Sequence, residues 1–225
     1  MSFILLVEQA APDTPSTSQV ILYPKSDGIM YSKDDAGTER AIALGVATQA
    51  EVDAGVVVKA ITADLNRIAL GTPIATTSGT SHDFTGIPAG VRRITVSLEG
   101  ISTNGTSVPI VQLGDAGGIE ATDYLGSAGE FASASQAAAT YTTGVGLAGT
   151  WSATVVFHGV VEFTLINSTT NLWSARLVGG RSDAGSVIVG GSSKALSAVL
   201  TQVRLTTVNG TDAFDAGSVN ITYER

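Results

Sequence analysis

Strict alternation of side-chain character is what most constrains this chain. In residues 91–98, Ile94, Val96 and Leu98 share one parity, while Arg93, Thr95 and Ser97 take the other. A period of two sends the two sets to opposite faces of a pleated strand, whereas a helix face repeats every 3.6 residues. The pattern recurs. Residues 155–166 carry Phe157, Val161, Phe163 and Leu165 on one parity, and further strand-like runs fall at 108–113, 172–178, 187–189, 196–208 and 219–223. In 196–208 the apolar parity switches between Leu200 and Val203, which predicts a bulge or bend. Turn formers such as Asn209-Gly210 separate the runs. The expected fold class is mainly β: a small N-terminal β-meander plus short helices, then a β-sandwich, jelly-roll-like domain.

Three regions follow from the punctuation. Residues 1–42 form an N-terminal arm and β-hairpin region. Pro12, Pro15 and Ser16-Thr17-Ser18 make its start irregular, and residues 20–42 read as three short strands turning at Asp27-Gly28 and at Asp34-Asp35-Ala36-Gly37. So small a sheet cannot bury both faces alone and is expected to pair with further copies of itself. Residues 43–71 form a helical connector. Thr48 with Glu51 makes a capping box, Gly55 ends the first helix, and Ile61, Leu65, Ile68 and Ala69 share a face of a second helix over 59–70. Residues 72–225 form the head domain, in which 126–149, rich in small residues, is expected to be a long surface loop.

Composition excludes several function classes. The net charge of −8 works against binding phosphate backbones, so no nucleic-acid partner is expected. With no cysteine there is no disulfide framework, thiol nucleophile or Cys-based zinc site. Residues 1–7 are apolar but lack a basic flank and stop at Glu8, so neither a signal peptide nor membrane insertion is expected.

Catalytic signals are weak. Ser81-His82-Asp83 contains triad residue types, but adjacency in sequence does not build a triad. His158 reads as a hydrogen-bonded strand residue. Gly144-Val145-Gly146-Leu147-Ala148-Gly149 matches a dinucleotide fingerprint, which functions only between a strand and a helix; here a strand-like run follows. The carboxylate pairs Asp34-Asp35, Glu120 with Asp123, and Asp212 with Asp215 read as turn residues, with polysaccharide hydrolysis or a calcium site as the functional alternatives. No enzyme, cofactor or metal is expected.

Several stretches carry a resemblance. Leu22-Tyr23, continuing through Asp27-Gly28-Ile29-Met30-Tyr31-Ser32-Lys33-Asp34-Asp35-Ala36-Gly37-Thr38-Glu39, resembles a hairpin of bacteriophage tail-fibre and tail-tip proteins. Ala47-Thr48-Gln49-Ala50-Glu51-Val52-Asp53-Ala54-Gly55 with Lys59-Ala60-Ile61-Thr62 is similar to another tail-fibre element, although Ala63 stands where that element carries Pro. Phe84-Thr85-Gly86-Ile87-Pro88-Ala89-Gly90-Val91, with Leu113-Gly114-Asp115, is similar to a phage minor structural protein domain, as is Val203-Arg204-Leu205-Thr206-Thr207-Val208-Asn209-Gly210 and the run from Phe214 to Asn220. The resemblance implies a virion structural protein of the receptor-binding type: a homotrimer, joined to other virion proteins through its N-terminal region, that attaches to a host-surface glycan. A head fibre or capsid-decoration protein is the alternative. Sugars stack on aromatic faces, so Trp151, Trp173, Tyr124 and Tyr141 are the candidate ligand-binding residues, with a core position as the competing reading for Trp151 and Trp173.

Overall fold

The structure, a computed structural model, describes residues 12–27, 30–42, 68–133 and 135–225. The chain divides into two compact units, Met1–Leu65 and Asn66–Arg225. Among the described residues every regular element is a strand, and every strand pair is antiparallel.

In the first unit β1 (Val20–Pro24), β2 (Met30–Asp34) and β3 (Glu39–Ile42) form a meander in that order. The β2–β3 turn is built by Asp34, whose Oδ1 accepts the N–H groups of Ala36 at 3.1 Å and Thr38 at 2.8 Å. Gly37 sits there at φ 80°, a conformation that a Cβ makes costly. One face of this sheet carries Tyr23, buried, whose hydroxyl donates to Glu39 Oε1 at 2.6 Å. Lys25 Nζ pairs with Glu39 Oε2 at 2.6 Å and lies 4.2 Å from the Tyr31 ring centroid. Alternation along β1 leaves Val20 and Leu22 exposed.

The second unit runs through β4 (Ala69–Leu70), β5 (Ile74–Ala75), β6 (Ser81–Phe84), β7 (Arg93–Thr103), β8 (Pro109–Asp115), β9 (Gly118–Ile119) and β10 (Leu125–Ala132). It continues with β11 (Gln136–Tyr141), β12 (Val145–Gly146), β13 (Phe157–Asn167), β14 (Leu172–Arg181), β15 (Ser186–Ala195), β16 (Gln202–Thr207) and β17 (Phe214–Glu224). The large sheet has nine strands, in the order β11-β10-β15-β14-β13-β7-β17-β4, with β5 also on β17. The small sheet has five, in the order β12-β8-β16-β6, with β9 on β8. Side chains from both sheets share one hydrophobic cluster: Val96, Phe157, Phe163 and Leu177 from the large sheet, Val111, Leu113 and Leu205 from the small one. The apolar parity set of β7, Ile94, Val96 and Leu98, is the buried set, as alternation requires.

Three sequence expectations are corrected. Residues 126–149 are no surface loop: they hold most of β10, then β11 and β12, and Leu147 and Ala148 are fully buried. Small residues serve close packing here, since a Cβ on Gly146 would stand 2.3 Å from the Tyr141 ring. Gln112 Nε2 donates to Thr143 O at 2.8 Å, and Ile110 lies 3.0 Å from the Cβ position of Gly144, so this segment also covers β8, which is buried on both faces. Second, the strand expected over 196–208 starts only at Gln202: residues 196–201 connect β15 of the large sheet to β16 of the small one, so the parity switch between Leu200 and Val203 marks the start of a strand and not a bulge within one. Third, the helix expected over 59–70 does not reach its end. Ala69–Leu70 is strand, with Leu70 opposite Thr222 and Ala69 opposite Tyr223. Ile68, described, is exposed and in no regular element; residues 59–67, and the helix expected over 48–55, lie outside the described residues.

A lateral cleft and the four aromatic candidates

All four aromatic side chains singled out as sugar platforms belong to the core: for Trp151 and Trp173 that is the competing reading, and for Tyr124 and Tyr141 it corrects the expectation. Tyr124 is fully buried, and its hydroxyl accepts the Leu113 N–H at 2.6 Å; burial raises its pKa. Tyr141 donates to Ala148 O at 2.5 Å, and burial pushes it up to about 12. Trp151 Nε1 donates to Thr103 Oγ1 at 2.8 Å in a buried contact. Trp173 packs in the cluster with its Nε1 unpartnered. Their hydroxyl and indole groups, where satisfied, bond inward, and no ring face is left for a solvent-borne ligand.

The triad-like run fails for a local reason. Alternation along β6 exposes Ser81 and Asp83 and turns His82 and Phe84 inward, so the three residues cannot converge. The His82 ring meets Phe214 edge-on at 5.1 Å, and desolvation lowers its pKa. Asp83 is held by Arg204 in a two-pronged pair, both contacts 2.7 Å. At His158, Nδ1 accepts the Gly100 N–H at 3.1 Å. The neutral ring then carries its proton on Nε2, which faces Ser182 Oγ at 3.0 Å and donates to it. A base that activates a serine needs the reverse polarity.

The acidic pairs act as braces. Asp212 accepts from Ser107 N at 2.8 Å and from Asn209 Nδ2 at 2.7 Å, and these donors lower its pKa. Its carboxylate fills the space beside Gly105, where a Cβ would stand 2.0 Å from Oδ2. Asp35 accepts the Ser18 N–H at 2.6 Å. Glu120 does not pair with Asp123 but with the buried Lys194, at 2.6 Å. Ser197 Oγ lies 2.7 Å from Asp115 Oδ2 and 2.8 Å from Glu120 Oε1, joining the two acids. Among the described residues no group of three or more histidine or acidic side chains is placed to hold a metal ion.

The structure instead presents a cleft of ≈ 320 Å³ between β5, β6 with its following turn, and β17. Sequence reasoning missed it, because its walls come from residues about 140 positions apart in the chain. Phe84, Ile87 and Ile221 are its buried apolar floor, the half-buried Tyr223 is a wall, and Asp83, Thr72 and Thr85 supply polar groups. Backbone bonds fix both rims: Gly71 N donates to Ile221 O at 2.8 Å and Ile87 N to Thr201 O at 3.0 Å. Gly71 lets the chain run close to β17, since a Cβ there would meet Asn220 Oδ1 at 2.9 Å and Ile221 O at 3.2 Å. Asp83 borders the cleft from a strand position whose side chain lies on the face opposite Phe84, where its carboxylate is paired with Arg204.

No family model matches this chain, and no curated protein or solved structure does.

Proposed function

We propose that this chain is a non-enzymatic structural protein of a bacteriophage particle, a trimeric tail-fibre or tail-tip adhesin that attaches to a host-surface glycan. The phage class rests on the motif resemblances, which span both units. The β-rich head, read as a β-sandwich with jelly-roll-like character, is the ligand-bearing part, and the N-terminal region joins other virion proteins. The observation that carries the glycan reading is the cleft: an apolar floor and a tyrosine wall for the C–H face of a sugar ring, beside the hydroxyl-bearing Thr72 and Thr85. Its lining includes one acidic residue, Asp83, whereas glycoside hydrolysis normally uses a pair of carboxyl groups, so the arrangement suits holding a sugar rather than cutting it. Weak sites repeated on one particle become strong through multivalency.

Calorimetric titration of the full chain with a panel of monosaccharides and host polysaccharide tests this. Binding by the parent protein that falls at least tenfold in Tyr223→Ala and in Thr85→Val is expected. No binding at millimolar sugar, or binding indifferent to both substitutions, overturns the cleft. Gold-labelled antibody on intact particles tests the location: label at the tail end is expected, and label spread over the head replaces the tail reading with a decoration protein.

A further inference from the structure

The solvent face of the large sheet carries an apolar patch that none of the preceding roles uses. Register aligns its residues in rows that cross the strands. Val160 on β13 faces Val178 on β14, Val178 faces Val189 on β15, Val189 faces Gly129 on β10, and Gly129 faces Ala138 on β11. In the next row His158 faces Gly180, Gly180 faces Val187, Val187 faces Phe131, and Phe131 faces Gln136. The Phe131 ring reaches back to 3.7 Å from the Cβ position of Gly129, closing the gap between the rows. Val160, Val178, Val187, Val189 and Phe131 are 41 to 59% exposed. Together they form an apolar surface on the order of 400 Å², at the size where a soluble monomer's largest patch is commonly functional.

We infer that copies of this chain pack on one another through this face. The five exposed side chains of the patch carry no hydroxyl, amide or charge, and the polar groups of their rows, His158 and Gln136, stand only at its ends. The patch holds no Lys or Arg either, and the chain's net charge of −8 disfavours an anionic lipid surface. The same charge makes two copies repel, so contact between them is cheapest where both surfaces are neutral. That condition is met here and continues into the rim. The adjoining row holds Glu162 and Arg176, already paired at 3.0 Å, followed by Gly191, Ser127 and Thr140. A stable interface buries about 800 Å² per partner, with an apolar centre and a polar rim. The patch provides the centre, and the Glu162–Arg176 row with Gln136 provides the rim. Close-set valines on neighbouring strands give a ridged surface suited to packing on another sheet at about 10 Å.

Light scattering and sedimentation of the full chain at micromolar concentration decide it. The parent protein is expected at a multiple of 22.8 kDa. The V178E/V189E variant is expected at the single-chain mass with an unchanged circular dichroism spectrum. V178T/V189T keeps the β-branched shape and is expected to weaken assembly at least tenfold. T164E, on the same face and strand as Val160, is expected to leave the mass unchanged. A single-chain mass for the parent protein, or an intact assembly in folded V178E/V189E, overturns the inference. Patch-dependent assembly at a two-chain mass supports this interface while overturning the trimer of the proposed function, so the two claims fail separately.

Discussion

The two faces of the large sheet are made of nearly the same residues and do different things. Val161, Leu177 and Ile188 point into the core, while their chain neighbours Val160, Val178 and Val189 point out. Composition alone does not separate the sets; the pleat does. Inward residues meet the small sheet in a shared cluster, so their loss leaves a cavity. Outward residues meet one another across the strands but stay 41 to 59% exposed, so their loss leaves folding nearly untouched. Apolar character in a strand is thus evidence of contact, but only the far side of the sheet tells whether that contact is internal.

The sharpest break between the faces comes from paired truncations. Leu177→Ala is expected to lower unfolding stability by about 2–5 kcal/mol, by lost transfer energy plus a cavity. Urea denaturation followed by circular dichroism checks it. The buried polar side of the same interior comes next. Lys194 sits on β15 with Glu120 as its ion-pair partner, and Glu120→Met, which strands that ammonium, is expected to cost about 3 kcal/mol. On the outer face Val178→Thr is expected to change stability by no more than about 0.5 kcal/mol. A larger loss measured for the unassembled chain would show that this face is covered from within.

Proton linkage sharpens the same contrast. Hydrogen bonds from Ser197 and the Gly117 amide hold Asp115 below its ordinary value of 3.8. Burial works to raise Glu120, but donors from Lys194 and Ser197 outweigh it and hold it below 4.5. Both carboxyls therefore bind protons more weakly when folded than when unfolded. Their stabilisation is fully present above the unfolded values and is lost as pH falls from there through the folded values. Chemical denaturation between pH 6 and pH 3, by about unit steps, should show this loss in the parent protein and a smaller one in a Glu120→Gln variant.

Much of the strand content was legible because the long strands β7 and β13 alternate cleanly with large side chains. Residues 126–149 were illegible because Ala, Gly and Ser carry almost no contrast between faces, although that lack of bulk is what admits the Tyr141 ring and covers β8. The helical spacing of Ile61, Leu65, Ile68 and Ala69 ran past the point where Ala69 and Leu70 gain hydrogen-bond partners on β17, and a distant strand cannot be read locally. Aromatic residues flanked by polar turns looked solvent-facing, but Tyr124 and Trp173 lie on inward parities. The outer patch was hidden for a related reason. Paired apolar neighbours, such as Val160-Val161 and Ile188-Val189, give alternation no contrast between the two faces.

The pairing of Ala69 with Tyr223 has a mechanical meaning. Force arriving along residues 68–70 and leaving through the end of β17 would pass between adjacent backbones at one margin of the large sheet. It would peel β4 from β17 a bond at a time, because the load acts across the ladder instead of shearing along it. The interior, from β7 through β15, would lie off the load path. Under tension the unit would yield first by a short extension at its margin, keeping the cleft strands β5 and β6 and the packed core in place until β4 had let go.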